Sequence, residues 1–160
     1  MPIEDDRRKY FQNLVAGNNP SLGYHLISML SEVNLFKSVW TTNFDNLMVK
    51  CAHKYNLQPI EITIDTSDRI YRGDVAGELL CIALHGDYKY GSTKNTSKEL
   101  DTQNDTFVNA LRHELTNRSL IVMGYSGRDA SLMNALSAAY QTKGSGKLFW
   151  CGYGANALSL

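Results

Sequence analysis

Five short apolar runs, four of them closing in a polar tip, constrain this chain more than any other feature. They are Lys37–Thr42, Pro59–Ile64, Leu79–Leu84, Ser119–Met123 and Lys147–Cys151. Each is strand length, and helical spacing of apolar residues fills most of the intervals between them. Strands alternating with helices predict a parallel sheet with helices on both faces, an open Rossmann-like α/β fold. Right-handed crossovers place every strand tip on one edge, where an open sheet binds its ligands. The tips here are Thr42-Asn43-Phe44-Asp45, His85-Gly86, Gly124 to Asp129, and Gly152. Helix caps explain one such tip readily and four less well, so one shared site is expected along that edge.

The intervals read as follows. Glu4 to Ala16 is a predicted helix with Tyr10, Phe11, Leu14 and Val15 on one face. Ser21 to Glu32 is a second, with Leu22, Leu26, Met29, Leu30 and Val33 as its inner stripe and His25 packed or exposed beside it. Asn46 to Tyr55, Thr102 to Asn117 and Ala130 to Tyr140 complete the helices. Pro59 marks an edge strand, because proline removes a ladder donor. Asp65 to Glu78 is polar, with turns at Gly73 and Gly77. Leu79–Leu84 is apolar throughout, which suits a strand buried on both faces. The polar stretch Lys89 to Asp101 is too long for a tight turn, and such a loop is usually functional or mobile.

With 160 residues the chain fits a single domain, residues 1–160, with a real core. Sixteen basic residues balance 16 acidic ones, and no polybasic stretch points to nucleic acid or a membrane surface. Cys51, Cys81 and Cys151 all lie in apolar segments with no paired spacing, so buried free thiols are expected rather than disulfides or zinc. No run is long enough to span a bilayer, and the polar start lacks a secretory pattern. A soluble cytoplasmic protein is expected.

The tips carry usable chemistry beside simpler roles. Asn43 and Asp45 can hold a hydroxyl-rich ligand, or they can cap the helix that follows. Gly124-Tyr125-Ser126-Gly127 follows a strand and opens a helix, where glycines allow close backbone approach and the helix N-terminus favours a phosphate. The simpler alternative is a glycine turn with Asp129 as N-cap. His85 can act as a base or bond a ribose hydroxyl, or it can cap its strand.

Thr41-Thr42-Asn43-Phe44-Asp45, Leu84-His85-Gly86-Asp87 and Val122 to Asp129 occur in the order and rough spacing of the sirtuin-like NAD-consuming domains. The chain resembles the bacterial anti-phage defence branch more closely than the histone-deacetylase branch. Ser21-Leu22-Gly23-Tyr24 resembles the family's helical lead-in, and the likeness runs from about Arg7 to Gly154. It implies NAD as substrate. Asn43 would hold the nicotinamide ribose and order the attacking water, Asp45 would support the same pocket, and His85 would be the base. Thr41, Thr42, Phe44 and Gly86 would line the cofactor site, Gly124, Tyr125, Ser126 and Gly127 would meet the phosphates and adenosine, and Gly152 would lie beside the adenine. Arg128 and Asp129 would lock the turn.

Two departures shape what the resemblance implies. The paired zinc cysteines of deacetylase-type members are missing from Lys89 to Asp101, which favours NAD hydrolysis without a metal over protein deacylation. The family's opening strand and Gly-Ala-Gly-x-Ser loop have no counterpart, so the chain is expected to be a fragment of a longer protein or a degenerate copy. It is then expected to bind NAD weakly by itself and turn over little. A fused C-terminal sensor domain or a homo-oligomer is the expected partnership. A protein deacylase and a non-catalytic nucleotide-sensing or assembly module are the alternatives to an NADase.

Overall fold

The structure, a computed structural model, describes residues 4–84, 105–116, 118–141 and 146–152. The chain divides into two compact units, residues 1–95 and 96–160.

In the first unit, helices α1 (Glu4–Val15) and α2 (Leu22–Glu32) lead into β1 (Ser38–Thr41), α3 (Leu47–Ala52), β2 (Gln58–Ile62), a 3-10 segment (Ile64–Tyr71) and β3 (Glu78–Ala83). The strands lie parallel in the order β1-β3-β2, with Thr41 opposite Ala83 and Ile62 opposite Ile82. The continuous apolar run 79–84 is explained by this position. β3 is the middle strand, and Leu79 and Ile82 are fully buried. Pro59 lies on β2, which among the described residues pairs with β3 alone, so its missing N–H weakens no second ladder.

Met48, Val49 and Ala52 of α3 form the core with Leu57, Leu79 and Cys81, and Tyr24, Ile27, Val39 and Tyr55 pack against them. This reverses the expected orientation of α2. The residues turned inward are Tyr24, Ile27, Ser28 and Ser31, at i, i+3, i+4 and i+7. Leu22, Leu26, Met29, Leu30 and Val33 point outward, Leu22 by 73%. The physical reason is steric. Ser28 and Ser31 are small enough to be buried on this face, and Ser31 Oγ satisfies itself by donating to Ile27 O at 2.9 Å. On α1 the same correction applies to Tyr10 and Leu14, which are exposed while Val15 is buried.

The polar interval after β2 folds into the 3-10 segment ahead of its two glycines. The Thr63 side chain and the Thr66 side chain cap each other's backbone, and Ile70 plugs the core beneath. The tip His85-Gly86 and the stretch Lys89 to Asp101 lie outside the described residues.

In the second unit, α4 (Asp105–Leu115), β4 (Leu120–Met123), α5 (Ala130–Tyr140) and β5 (Leu148–Cys151) follow in order. β4 and β5 are parallel, with Met123 opposite Cys151, and α5 is the crossover between them. Ala110, Leu111 and Leu115 of α4 pack with Leu132, Ala135, Leu136 and Ala139 of α5. Glu114 is buried and held by Arg118, four residues on. Gly146 fits where a Cβ would collide with the Arg118 carbonyl. Cys151 is exposed, contrary to the expectation for all three cysteines, because β5 is exposed along most of its length, Leu148 and Phe149 included. Cys51 and Cys81 are buried.

Parallel strands joined by helical crossovers in both units make this an α/β, Rossmann-like fold. No helix among the described residues is long and apolar enough to cross a membrane.

Candidate functional site

At the end of β1 the backbone leaves the sheet through a turn set by side chains. The Asn43 N–H donates to Thr41 Oγ1 at 3.0 Å, and Asn46 adopts a left-handed conformation with φ of +55°. Asparagine tolerates that region better than most residues. Its side chain is anchored by donation from Nδ2 to Glu61 Oε2 at 3.0 Å, so the turn is tied to β2. α3 then begins. The N-cap position of α3 is Asn46, which makes no side-chain cap bond; Asp45 Oδ1 instead accepts the Leu47 N–H at 3.0 Å in an Asx-type turn that leads into the helix.

That bond uses one carboxylate oxygen. The other, Asp45 Oδ2, accepts from the hydroxyl of Tyr24 at 3.4 Å. That same phenol oxygen accepts from Asn43 Nδ2 at 3.5 Å. Asn43 and Asp45 are thus gathered around one hydroxyl delivered by α2. Asp45 is half-buried and Asn43 exposed, so the cluster opens outward. Thr41, Thr42 and Phe44 line the turn, half-buried. Burial, then the nearby Asp45 charge, pushes the Tyr24 phenol above its ordinary value, with the Asn43 bond opposing, so the hydroxyl keeps its proton at neutral pH. Tyr24 has no role in the sequence reading beyond its place in the lead-in. Its signal was its position on α2 at helical spacing with the inward Ile27, Ser28 and Ser31.

The end of β3 reaches the same edge. Leu84 donates its N–H to Thr41 O at 2.9 Å, so the two strand tips are tied together. His85 and Gly86, which follow in sequence, lie outside the described residues.

The second unit holds the other tip. Past β4, Gly124 and Gly127 have φ of +65° and +72°, values that side-chain-bearing residues rarely adopt. Asp129 Oδ1 accepts the Leu132 N–H at 3.2 Å and caps α5, as its sequence position foresaw. Its own N–H donates to the Tyr125 hydroxyl at 3.2 Å. The Tyr125 ring lies 5.9 Å from Trp150 of β5, tilted by 39°. A Cβ on Gly127 would meet Met133 and Trp150 at ordinary contact distance. Ser126 is exposed at the crest. The pairing of Met123 with Cys151 brings Gly124 and Gly152 side by side past the strand ends.

Of the two roles expected of His25, packed or exposed, the structure gives the packed one. Its Nδ1 lies 3.0 Å from the Tyr55 hydroxyl and 3.5 Å from Cys51 Sγ. Among the described residues no three His, Cys, Asp or Glu side chains are grouped to hold a metal.

A carboxamide, a carboxylate and a phenol at one strand tip suit sugar hydroxyls, and two glycines before a capped helix leave backbone open to phosphates. No curated protein matches the chain. The family model described as the SIR2-like domain matches residues 37–157, from the start of β1 to past β5. The chain therefore belongs to the SIR2-like domain family, with that family's α/β fold and its NAD-related function.

Proposed function

We propose that the protein is an NAD+ hydrolase that cleaves the bond between nicotinamide and ribose, with water as acceptor. The observation that carries this reading is the convergence of Asn43 and Asp45 on the Tyr24 hydroxyl at the β1 tip. Breaking the C1′–N bond sends its electron pair to nicotinamide and builds oxocarbenium character on the ribose. Oriented polar groups that hold the sugar and a water in line lower that barrier.

In this reading Asn43 holds a ribose hydroxyl and the attacking water, and Asp45 fixes the turn that presents it. His85 takes the water's proton as the new C–O bond forms, giving ADP-ribose. Gly124, Tyr125, Ser126 and Gly127 meet the phosphates and adenosine, and Gly152 meets the adenine. Thr41, Thr42, Phe44 and Gly86 complete the walls. The cysteine-free stretch Lys89 to Asp101 supports water over an acyl-lysine as acceptor. The likeness of the three motifs to the defence branch supports a role as a cytoplasmic, NAD-depleting anti-phage effector, with residues 1–160 as its NAD-binding domain.

The test is product chromatography after incubating NAD with the protein at its full natural length. Nicotinamide and ADP-ribose should appear in equal amounts, and Asn43→Ala or His85→Ala should remove both. Unchanged NAD would overturn the proposal, and full turnover by His85→Ala would overturn the assignment of the base.

A further inference from the structure

We propose that Tyr24 is a positioning residue that fixes the Asn43 carboxamide with its oxygen outward, so that this point of the site takes a hydrogen-bond donor. The inference rests on the NAD reading above and names what that site selects: a sugar hydroxyl or a water, rather than a carbonyl or phosphate oxygen.

The polarity follows from counting protons. A phenol has one proton to give and lone pairs to accept with, whereas a carboxylate only accepts. Asp45 Oδ1 is committed to the Leu47 N–H at 3.0 Å, and Oδ2 faces the Tyr24 oxygen at 3.4 Å. The phenol proton must lie on that line, because two acceptors would otherwise oppose each other. A charged acceptor also outcompetes an amide oxygen for it. Tyr24 can then only accept from Asn43, 3.5 Å away, which turns the NH2 inward and Oδ1 outward. Among the described residues nothing donates to that oxygen, and Asn43 is exposed. The chain Asn43 to Tyr24 to Asp45 to the α3 backbone thus ends at a rigid helix terminus.

Both outer bonds are long for O–H and N–H donors. Such bonds tighten when a ligand arrives, and a donor on Oδ1 polarises the whole chain in the favourable sense. Without the phenol oxygen the carboxamide would be free to rotate.

The experiment is calorimetric titration of the full-length protein with NAD, for wild type, Tyr24→Phe, Asn43→Ala and the double variant. Tyr24→Phe, which keeps the ring, should weaken binding about five- to tenfold. It should add nothing in the Asn43→Ala background, because an intermediary has nothing left to position. Equal affinity for Tyr24→Phe, or losses that simply add, would overturn the positioning role and leave the NAD reading standing. Failure of wild type to bind NAD would overturn both. A readout without ligand or variant is the nuclear Overhauser contact between the Asn43 side-chain NH2 and the Tyr24 ring. Its presence supports the inward amide, and its absence in folded wild type overturns it.

Discussion

Cys81 and Cys151 show how two identical side chains acquire opposite chemistry from position. Cys81 lies mid-way along β3, and burial, helped by the charge of Glu61, pushes its thiol up to about 12. Cys151 ends β5 and is exposed. A thiol reagent at pH 8 should therefore modify Cys151 rapidly and reach Cys51 and Cys81 only after unfolding, with mass spectrometry of the labelled peptides as the check. The raised value also makes stability pH-dependent. Between the ordinary thiol value near 9 and about 12, the unfolded chain loses the Cys81 proton and the folded chain keeps it. Stability should thus be fully present below pH 9 and fall as pH rises through that window, by up to about 1.4 kcal/mol per unit. The Tyr24 and Tyr125 phenols, also raised, act in the same direction above their ordinary values. Urea midpoints measured from pH 8 to 11 should fall, and Cys81→Ala should flatten the fall. The same dependence on surroundings separates Asn43 from an ordinary cap. Its residue type is legible in the sequence, but the phenol that orients it comes from 19 positions away.

Elements set the next level, and here caps and glycines can be weighed. Asp129 closes the N-terminus of α5 while its N–H holds the Tyr125 hydroxyl. Asp129→Ala should cost about 0.5–2 kcal/mol in urea unfolding, in the usual range for a lost N-cap. Gly127→Ala should destabilise for a different reason: the space beside Met133 and Trp150 is ordinary contact, but φ of +72° is strained for any side chain. Element existence and order were legible because hydrophobic period is a local property. The ranges for β1, β3, α5 and β5 agree with the sequence reading to within two residues. Which face of α2 turns inward was not legible. The apolar stripe Leu22, Leu26, Met29, Leu30 and Val33 is the stronger periodic signal, yet Tyr24 and Ile27 pack on the core and Ser28 and Ser31 are buried.

Across the whole molecule, stability should track burial in the sheet rather than apolar character. Ile82 is fully buried in the middle strand, so Ile82→Ala should cost about 2–5 kcal/mol. Leu26, equally apolar and half exposed on α2, should tolerate Leu26→Gln within about 0.5 kcal/mol. Paired chemical melts of the two variants check the contrast. The sequence by itself determined the α/β class, the parallel pairing of its strands and the family, whereas among the described residues those strands fall into two sheets rather than one. Class, pairing and family follow from the spacing of apolar runs and from motifs that are contiguous in the chain. Only the tertiary structure decided that Asn43 and Asp45 share the Tyr24 hydroxyl, that α2 turns its serines inward and that Cys151 is open to solvent. Those outcomes depend on which distant segments pack together, and local spacing carries no information about a partner that lies on another element.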